Sequence, residues 1–436
     1  MNLFYNIVIY FATFAASVLS RFNSKIKLWR AGTYKWKHKY ADKVIPNKKT
    51  IWIHCASLGE FEQGRPVIES LKTNYPEYLI ALTFFSPSGF EIRKNYDKAD
   101  YIFYLPTDTP GNAKKFIDII NPKFVIFVKY EFWNNYISEL YRRNIPLYLI
   151  SGIFRQEQHF FKWYGAFFRS ILKKFTMFFV QDEASLNLLA EIGIKNVIAT
   201  GDTRFDRVVQ IASEAKEIKT IELFRGNEKL FLAGSSWKHD EEIIAKYINA
   251  NPAKMKWVFA PHEPSPENVE RLEKLFNVKS VRYSHYTESD SDARVMIIDN
   301  IGMLSSAYRY ACIAAIGGGF GKGIHNILEA ACWGVPVMFG PNYDKFKEAI
   351  DLIKENGAAS FDSFDKFCEI VDKWLSDNDL YLQSAKAASL YVANNKGATD
   401  KILEFVILGQ DSVCIVKKNH VYLYVKIVLC LANISI

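Results

Sequence analysis

The 436-residue sequence has little that would tie it to an oxidising compartment or to a structural metal. Its six cysteines are scattered, with no CxxC pair and no Cys/His cluster at zinc-binding spacing. This usage favours a reduced, cytoplasmic compartment. Internal repeats, heptad patterns and low-complexity linkers are also missing, which excludes repeat and fibrous architectures. No RNA- or DNA-binding motif is present, so nucleic acid is not an expected partner.

Charge is missing from the first twenty residues, which are rich in Phe, Tyr, Ile and Val. A helix of this length reaches across most of a hydrocarbon core. Basic residues follow the apolar segment instead of preceding it, which does not fit a signal peptide and would keep the remainder of the chain cytoplasmic. Three interpretations stay open for residues 1–20: a membrane-spanning helix, a helix in the membrane interface, or a buried first helix of the globular domain.

Acidic residues are scarce in residues 21–50, which hold ten Lys or Arg against the single Asp42. The local charge of +9 slightly exceeds the +8 of the whole chain, so the remainder is nearly neutral. A basic patch confined to one segment beside an apolar helix indicates an anionic membrane surface as its partner.

The remaining chain has the length and apolar content of two α/β units, with short β-rich runs alternating with helical patterns. We predict an apolar membrane segment (1–20), a basic juxtamembrane region (21–50), a first Rossmann-like unit (51–205) and a second (206–405). Residues 406–436 form an apolar tail to which no role is assigned. Nothing in the sequence indicates an oligomeric state.

The stretch Ile316–Pro341 reads as strand, glycine loop, helix and strand. Five of the seven residues 317–323 are glycine, and Asn326 and Glu329 have capping-box spacing at the start of an apolar helical run. Such a loop can present backbone N–H groups to a phosphate, and a helix dipole beginning near Asn326 would add to the attraction. The alternative is an ordinary strand-to-helix turn in which Glu329 only caps the helix.

A second candidate, Glu60, follows the β-rich run Thr50–Cys55. A carboxylate at a strand-to-helix turn lies where open α/β sheets bind ligands, and there it can act as a general base toward a hydroxyl. Ser57 and Glu60 also have capping-box spacing, so a purely structural role is the alternative. Pro66 predicts that the longer helix begins near Arg65.

Further candidates lie at other strand ends. Lys129 and Glu131 are two residues apart, which would place them on one face of an extended chain. Arg204, in the segment GDTRFD, is one of few cations able to reach a cleft, with a surface ion pair to Asp202 or Asp206 as the alternative. The other strand-end candidates are Pro261, His262, Ile301, Gly302 and Met303.

Taken together, these segments resemble the 3-deoxy-D-manno-octulosonic acid (Kdo) transferases of lipopolysaccharide assembly. The similarity covers roughly residues 1–405 and rests on the apolar N-terminus with its basic flank and on the motifs SLGE, EFW, GDTRFD, GSSWKHDEE, GGGFGKGIHNILEAA and GPNYDKFKEA. The resemblance implies a GT-B glycosyltransferase with two facing Rossmann-like domains. It further implies an inverting, metal-independent enzyme that needs no cofactor and moves Kdo from CMP-Kdo to the lipid A precursor at the cytoplasmic face of the inner membrane.

The resemblance also implies roles for the candidates. Glu60 would be the general base, and the strand end with Lys129 and Glu131 would act with Arg204 on the developing charge. CMP would contact Pro261, His262, Ile301, Gly302, Met303, Asn326, Ile327, Leu328 and Glu329. The chain departs from the commoner family pattern at Lys129, where many relatives have an acid, and at Arg204, His262 and Met303, where they have lysine, arginine and glutamate.

Two other interpretations remain open at this point. A nucleotide-sugar 2-epimerase, or another GT-B transferase, would share the architecture, although an epimerase has no need of residues 1–50. A non-catalytic membrane-bound protein that binds a sugar or nucleotide would leave Glu60 dispensable.

Overall fold

The computed structural model describes residues 1–46 and 48–411, with side chains as far as Ile407. Three short helices come first: α1 (Asn2–Leu19), α2 (Ser24–Thr33) and α3 (Trp36–Ala41). Two α/β units follow, each built on a parallel sheet of seven strands. The predicted class, α/β with two Rossmann-like units and an apolar N-terminal segment, is confirmed.

The first unit alternates strands and helices in chain order. Its elements are β1 (Thr50–Cys55), α4 (Leu58–Asn74), β2 (Leu79–Phe84), α5 (Pro87–Arg93), β3 (Tyr101–Tyr104), α6 (Pro110–Ile120), β4 (Pro122–Val128), α7 (Asn134–Arg142), β5 (Leu147–Gly152), α8 (Ala166–Leu172), β6 (Met177–Val180), α9 (Glu183–Glu191) and β7 (Val197–Ala199). The strand order in the sheet is β3-β2-β1-β4-β5-β6-β7. Successive strands join through helices, as parallel pairing requires.

The second unit repeats this plan after a bridging helix. Its elements are α10 (Thr203–Glu214), α11 (Lys219–Arg225), β8 (Leu230–Ser236), α12 (Lys238–Ala250), β9 (Lys256–Pro261), α13 (Pro266–Glu273), β10 (Ser280–Arg282), β11 (Val295–Ile297), α14 (Leu304–Ala307), β12 (Ile313–Ile316), α15 (Leu328–Ala331), β13 (Val337–Phe339), α16 (Lys347–Lys354), β14 (Ala358–Ser360), α17 (Phe364–Ser376), α18 (Asn378–Asn395) and α19 (Ala398–Asp411). Its strand order is β10-β11-β9-β8-β12-β13-β14.

Strand β1 illustrates why these runs form central strands. All six of its residues are buried. Ile51, Ile53 and Cys55 enter one hydrophobic cluster, whereas Trp52 enters another on the opposite face of the sheet. A parallel sheet covered by helices on both faces needs such continuous apolar strands.

In each sheet the later strands lie first on one side of the first strand and then on the other, so a reversal point lies between β1 and β4 in the first unit and between β8 and β12 in the second. Crevices outside the carboxyl ends of the strands at such reversal points are the usual ligand sites of open α/β sheets. We call these two crevices the first mouth and the second mouth.

Helix α1 lies on the surface of the first unit with no buried residue, so the interpretation of residues 1–20 as a buried core helix is wrong. By its 18-residue length and its mean hydropathy of 1.5, α1 could cross a membrane. Contacts nevertheless fix both of its ends to the protein. Near the start the Tyr5 hydroxyl donates to Asp108 Oδ2 at 2.7 Å, and near the end Arg30 donates to the Ser17 carbonyl at 2.8 Å.

Helix α19 returns to the first unit although it follows the second sheet in sequence. Its Ile402, Leu403 and Val406 side chains are buried in the same cluster as Ile51 and Ile53 of β1. Two residues predicted as the end of the second unit, Ile402 and Leu403, and one from the predicted apolar tail, Val406, thus complete the core of the first. Residues 412–436 of the predicted apolar tail lie outside the described residues.

Candidate functional site

Glu60 lies in the first turn of α4, directly after β1, at the first mouth. Its Oε2 atom accepts a hydrogen bond from the Ser57 backbone N–H at 3.1 Å and another from the Ser57 hydroxyl. This capping box begins the helix at Leu58, and Pro66 lies inside the helix. The prediction that the helix begins near Arg65 is therefore wrong: the cap at Ser57 outweighs the backbone hydrogen bond that Pro66 cannot make.

The capping role leaves part of the Glu60 carboxylate available. Among the described residues, no hydrogen bond engages Oε1, and the side chain is only half-buried. The space beside this turn is also open, because a methyl group at Gly59 would meet only the Ser57 Oγ, at 3.8 Å. Capping with one oxygen and proton transfer with the other are therefore compatible.

Lys129 follows β4 at the same mouth, in a backbone conformation that the sequence pattern did not predict. Its φ is +70°, so the chain turns here and the alternation argument that placed Lys129 and Glu131 on one face is wrong. Burial lowers the pKa of the Lys129 ammonium, and the Arg204 guanidinium lowers it further, while Glu60, Asp202 and Glu348 act in the opposite direction. Lys129 thus lies within electrostatic reach of both Glu60 and Arg204.

Glu131 is buried and turns inward, away from the open part of the mouth. Its Oε2 atom lies 3.1 Å from His54 Nε2 and accepts from Trp133 Nε1 at 2.6 Å. A carboxylate only accepts hydrogen bonds, so His54 Nε2 carries the proton. The series of hydrogen bonds continues from His54 Nδ1 to the Thr83 hydroxyl at 2.9 Å. This geometry makes Glu131 a residue that orients its neighbours.

Arg204 joins the two units. Its Nε donates to Asp202 Oδ2 at 2.7 Å, and its Nη1 donates to Glu348 Oε1, on α16 of the second unit, at 2.8 Å. Burial alone would lower the pKa of Arg204, but the two carboxylates outweigh it and raise the pKa. Asp206 is not its partner, because that carboxylate accepts from the backbone N–H groups of Gly397 and Thr399.

The sequence predicts that the glycine loop of the second mouth presents open N–H groups to an anion. In the structure the loop is instead closely packed against neighbouring backbone. A methyl group at Gly317 would lie 2.1 Å from the Ser235 carbonyl oxygen, so backbone packs directly on backbone. Several loop N–H groups already bond within the protein: Gly317 donates to the Gly234 carbonyl, Gly321 and Gly323 donate to the Gly318 carbonyl, and Gly318 donates to Asp240 Oδ2 at 3.2 Å. The anion that Gly318 binds in this structure is the Asp240 carboxylate.

The helix expected to begin at Asn326 is a single turn, α15, from Leu328 to Ala331. So short a helix carries little macrodipole, and the predicted helix-dipole attraction for a phosphate is not supported. Ile327 and Leu328 are fully buried in the hydrophobic core, which leaves only their backbone available to a ligand.

Glu329 lies beside this turn and is held by two side chains. It accepts from Asn326 Nδ2 at 3.1 Å and from the Ser305 hydroxyl at 2.5 Å. Burial raises the pKa of this carboxyl, and these two hydrogen bonds oppose the rise. Glu62 and Arg207 also act on its pKa, which indicates that Glu329 faces the region between the units.

Three stacked rings border the second mouth, and sequence reasoning had singled out only one of them, His262. The His262 ring stacks on Trp237 at 4.8 Å and on His325 at 4.3 Å, and Trp237 Nε1 donates to His325 Nε2 at 2.9 Å. Burial, together with His262, lowers the pKa of His325 to about 4. His325 is therefore a neutral ring at physiological pH. Both missed residues lie in quoted motifs, Trp237 in GSSWKHDEE and His325 in GKGIHN.

The remaining predicted contacts complete the second mouth. Pro261 ends β9. Ile301 is 89 % exposed, Gly302 has a φ of +102°, and Met303 precedes α14. The described part of the chain brings no three His, Cys, Asp or Glu side chains together for a metal ion. The expectation that no metal takes part stays a prediction.

The structure therefore collects the candidates into two groups. Glu60, Lys129 and Arg204 lie at the first mouth, whereas the proposed nucleotide contacts lie at the second. The bond from Arg204 to Glu348 connects the two groups. Among the described residues the Glu60 carboxylate has an unengaged oxygen and Lys129 is within electrostatic reach of it, which suits the removal of a proton from a hydroxyl and the stabilisation of a departing anion.

Comparison with known proteins relates this chain to one group of enzymes. A family model described as "3-Deoxy-D-manno-octulosonic-acid transferase (kdotransferase)" matches residues 30–207. A 3-deoxy-D-manno-octulosonic acid transferase of Aquifex aeolicus is 30% identical over 317 residues, which cover 71% of this chain and 81% of that protein. A Haemophilus influenzae protein of the same name is 26% identical over 380 residues, with 84% and 88% coverage.

Solved structures agree on the fold. A UDP-GlcNAc 2-epimerase of Neisseria meningitidis superposes with a TM-score of 0.59 at 18% identity, covering 83% of this chain and all of that chain. A glycosyltransferase of Rickettsia africae gives 0.56 at 15% identity, covering 84% of this chain and all of that chain. At identities this low, the similarity shows only that the folds are alike.

Proposed function

The chain belongs to the 3-deoxy-D-manno-octulosonic acid transferase family, and we propose that it transfers Kdo from CMP-Kdo to the lipid A precursor at the cytoplasmic face of the inner membrane. The observation that carries the catalytic part of this proposal is the Glu60 carboxylate, with its Oε1 unengaged among the described residues and with Lys129 within electrostatic reach.

Glu60 acts as the general base in this proposal. The acceptor hydroxyl gives its proton to Glu60 Oε1 as its oxygen bonds to the anomeric carbon of Kdo. The bond between that carbon and the phosphate oxygen breaks on the opposite face, with inversion, and CMP leaves with the electron pair. Ser57 keeps the carboxylate in position by bonding to its other oxygen.

Lys129 is the cation best suited to meet the Kdo carboxylate or the departing phosphate. Arg204 is engaged by Asp202 and Glu348, whereas Lys129 has no ion pair within the described residues. Arg204 then acts by holding the two units together at the cleft. Glu131 supports the floor of the first mouth through His54 and Trp133.

The nucleotide occupies the second mouth in this proposal. Glu329, already oriented by Ser305 and Asn326, accepts hydrogen bonds from the ribose hydroxyls. Pro261, His262 and the turn from Ile301 to Met303 border the base. A donor with a single phosphate has no diphosphate for a metal ion to bridge, which is consistent with a metal-independent reaction.

Helix α1 would lie in the membrane interface instead of crossing the bilayer. Tyr5 and Ser17, whose contacts fix the helix to the protein, are separated by about 18 Å of helix at 1.5 Å per residue. Crossing would require the helix to leave at least one of these contacts. Its outer face exposes large apolar side chains, among them Leu3, Phe11 and Phe14, beside the basic residues 21–50.

The test is transfer by the detergent-solubilised protein, supplied with CMP-Kdo, tetraacylated lipid A precursor and EDTA, with the products resolved by mass. We expect the acceptor to gain one or more Kdo units. An unchanged acceptor with CMP still bound would point to another donor or acceptor. Conversion of a UDP-sugar without any transfer would instead favour the epimerase alternative.

A further inference from the structure

A cavity of about 340 Å³ opens at the base of the N-terminal helices, apart from both mouths. It lies between α1, α2 and the loop that follows β3. Its lining includes Thr13 and Ser17 of α1, Trp29 and Arg30 of α2, Lys35, and Thr107. The cavity therefore sits where the membrane-facing segment meets the first unit.

The lining combines three kinds of group. Arg30 and Lys35 supply positive charge, the Thr and Ser side chains supply hydroxyls, and Trp29 supplies a flat ring face. The Trp29 Nε1–H is buried and has no hydrogen-bond partner among the described residues. Because that N–H lies out of reach of a ligand in the cavity, Trp29 offers the ligand only its ring face.

A row of aromatic rings leads from this cavity to the first mouth. Trp29 lies 5.8 Å from Phe85, and Phe85 lies 5.0 Å from Trp133. Trp133 in turn donates to Glu131. The backbone N–H of Phe85 also donates to the carbonyl of Ala56, in the turn that leads to Glu60. Packed aromatic rings and this backbone hydrogen bond thus connect the cavity to the neighbourhood of the proposed base.

We propose that this cavity binds a phosphorylated sugar unit of the acceptor lipid, at the end remote from the hydroxyl that reacts. The inference rests on the proposed function, because it assumes an acyl-anchored sugar phosphate as acceptor. Cations suit the phosphate, hydroxyls suit the sugar hydroxyls, and ring faces suit the apolar faces of sugars. The exposed apolar face of α1 begins beside the cavity, where the acyl chains would enter the membrane.

The positive charge that lines the cavity can be removed independently of the other charges of residues 21–50. Arg30 lines the cavity, whereas Lys27, on the same helix, does not. Arg30→Gln therefore removes the cavity charge, and Lys27→Gln removes an equal charge outside it. Because Arg30 also bonds to Ser17 and Ser20, a second variant, Lys35→Gln, removes the other cation of the lining and none of these bonds. Lys37→Gln, which removes an exposed charge outside the lining, is its control.

The experiment measures direct binding of tetraacylated disaccharide 1,4′-bisphosphate and of its two monophosphates in detergent micelles, with no donor present. Acceptor and donor KM values are measured in parallel. We expect Arg30→Gln and Lys35→Gln to weaken binding of the bisphosphate about tenfold and to leave donor KM unchanged. One of the two monophosphates should bind the variants and the parent protein equally, which identifies the phosphate held in the cavity.

The two hypotheses fail differently. Equal weakening by Arg30→Gln and Lys27→Gln, or equal losses for all three lipids, would overturn the cavity site while leaving transfer from CMP-Kdo intact. Variants that lose only their affinity for phosphatidylglycerol vesicles would overturn the cavity site in the same way. Selective loss of bisphosphate binding in a protein that transfers no Kdo would support the cavity and overturn the proposed reaction.

Discussion

The two mouths occupy equivalent positions in two similar sheets, yet different chemical groups line them. The first mouth is lined by side-chain charges: Lys129 lies within electrostatic reach of both Glu60 and Arg204. The second is lined by backbone packed on backbone at Gly317, by neutral rings, and by a carboxyl whose pKa burial raises, Glu329. In the proposed reaction, the same position in the fold serves proton transfer in one unit and shape recognition in the other.

This difference has a physical origin. The charged form of a carboxylate is stabilised by water, hydrogen bonds and opposite charges, and Glu60 at the first mouth is only half-buried. A nucleotide is recognised by close contact, which requires the backbone to approach without side chains in the way. Variants that act on one mouth should consequently change chemistry, and variants that act on the other should change fit.

The largest expected effect comes from Glu60→Gln. The amide keeps an oxygen for the cap at Ser57 but cannot take a proton, so transfer should fall roughly a hundredfold to ten-thousandfold while CMP binding is retained. Rates and CMP affinity are measured on the same preparation.

Ser57→Ala is the matched control for the capping role. It should cost about 1 kcal/mol of stability and leave most of the activity. Full activity in Glu60→Gln, or an inactive Ser57→Ala of normal stability, would contradict the assignment of Glu60 as base.

The second comparison replaces one glycine by alanine at each mouth. At Gly317 the new methyl group would lie 2.1 Å from a backbone oxygen, which cannot move away cheaply, so we expect a loss of about 3 kcal/mol and weaker CMP binding. At Gly59 the nearest atom is 3.8 Å away, and alanine should stabilise the first turn of α4 by roughly 0.5 to 1 kcal/mol. Chemical denaturation of both variants measures the difference, and equal effects would contradict it.

A smaller effect concerns pH. Burial raises the pKa of Asp240 to about 6, although the backbone N–H groups of Trp237 and Gly318 bond to it. The native state then binds more protons than the unfolded state between about pH 4 and pH 6, so the stability from this group is lost as pH rises through that window. His325, with its pKa lowered to about 4, acts in the opposite direction: its contribution to stability rises with pH between about pH 4 and 6.5.

Asp240→Asn should remove the loss of stability that Asp240 causes as pH rises from about 4 to 6. The gain of stability that His325 causes as pH rises should remain. The stability of the variant relative to the parent protein should therefore increase by about 2 kcal/mol from pH 4 to pH 7. The exposed Asp379→Asn serves as control and should follow the parent protein. Parallel curves for Asp240→Asn and the parent would contradict the buried carboxyl as the source of the slope.

The smallest effect is expected for Glu329→Gln. The Ser305 hydroxyl can reverse its hydrogen bond to suit the amide, so the fold is retained. The loss of the charged acceptor should weaken CMP binding about tenfold by calorimetry. CMP affinity equal to that of the parent protein would remove Glu329 from the nucleotide site.

Sequence reasoning predicted which residues end the strands, because parallel strands bring their carboxyl ends to one edge of a sheet. Glu60, Lys129 and Pro261 all follow or end strands as expected. Side-chain direction was not predictable from alternation. A left-handed residue at Lys129 separates it from Glu131, and the partner that turns Glu131 inward, His54, is distant in sequence.

The glycine loop exposes a second limit of sequence patterns. The pattern predicts available N–H groups, but their partners, such as the Gly234 carbonyl and the Asp240 carboxylate, come from β8 and α12. Trp237 and His325 were missed for a related reason. Neither residue belongs to a sequence pattern that indicates a binding site, and only the fold brings them into stacking contact with His262.

The return of α19 to the first unit sets the order in which the protein can mature during synthesis. The first sheet ends at residue 199, but Ile402, Leu403 and Val406, which are buried in its core, are made about two hundred residues later. At roughly 5 to 20 residues per second, the ribosome needs about 10 to 40 s to supply them. Throughout that interval an apolar groove beside α4 stays uncovered, so the unit that is made first is completed last.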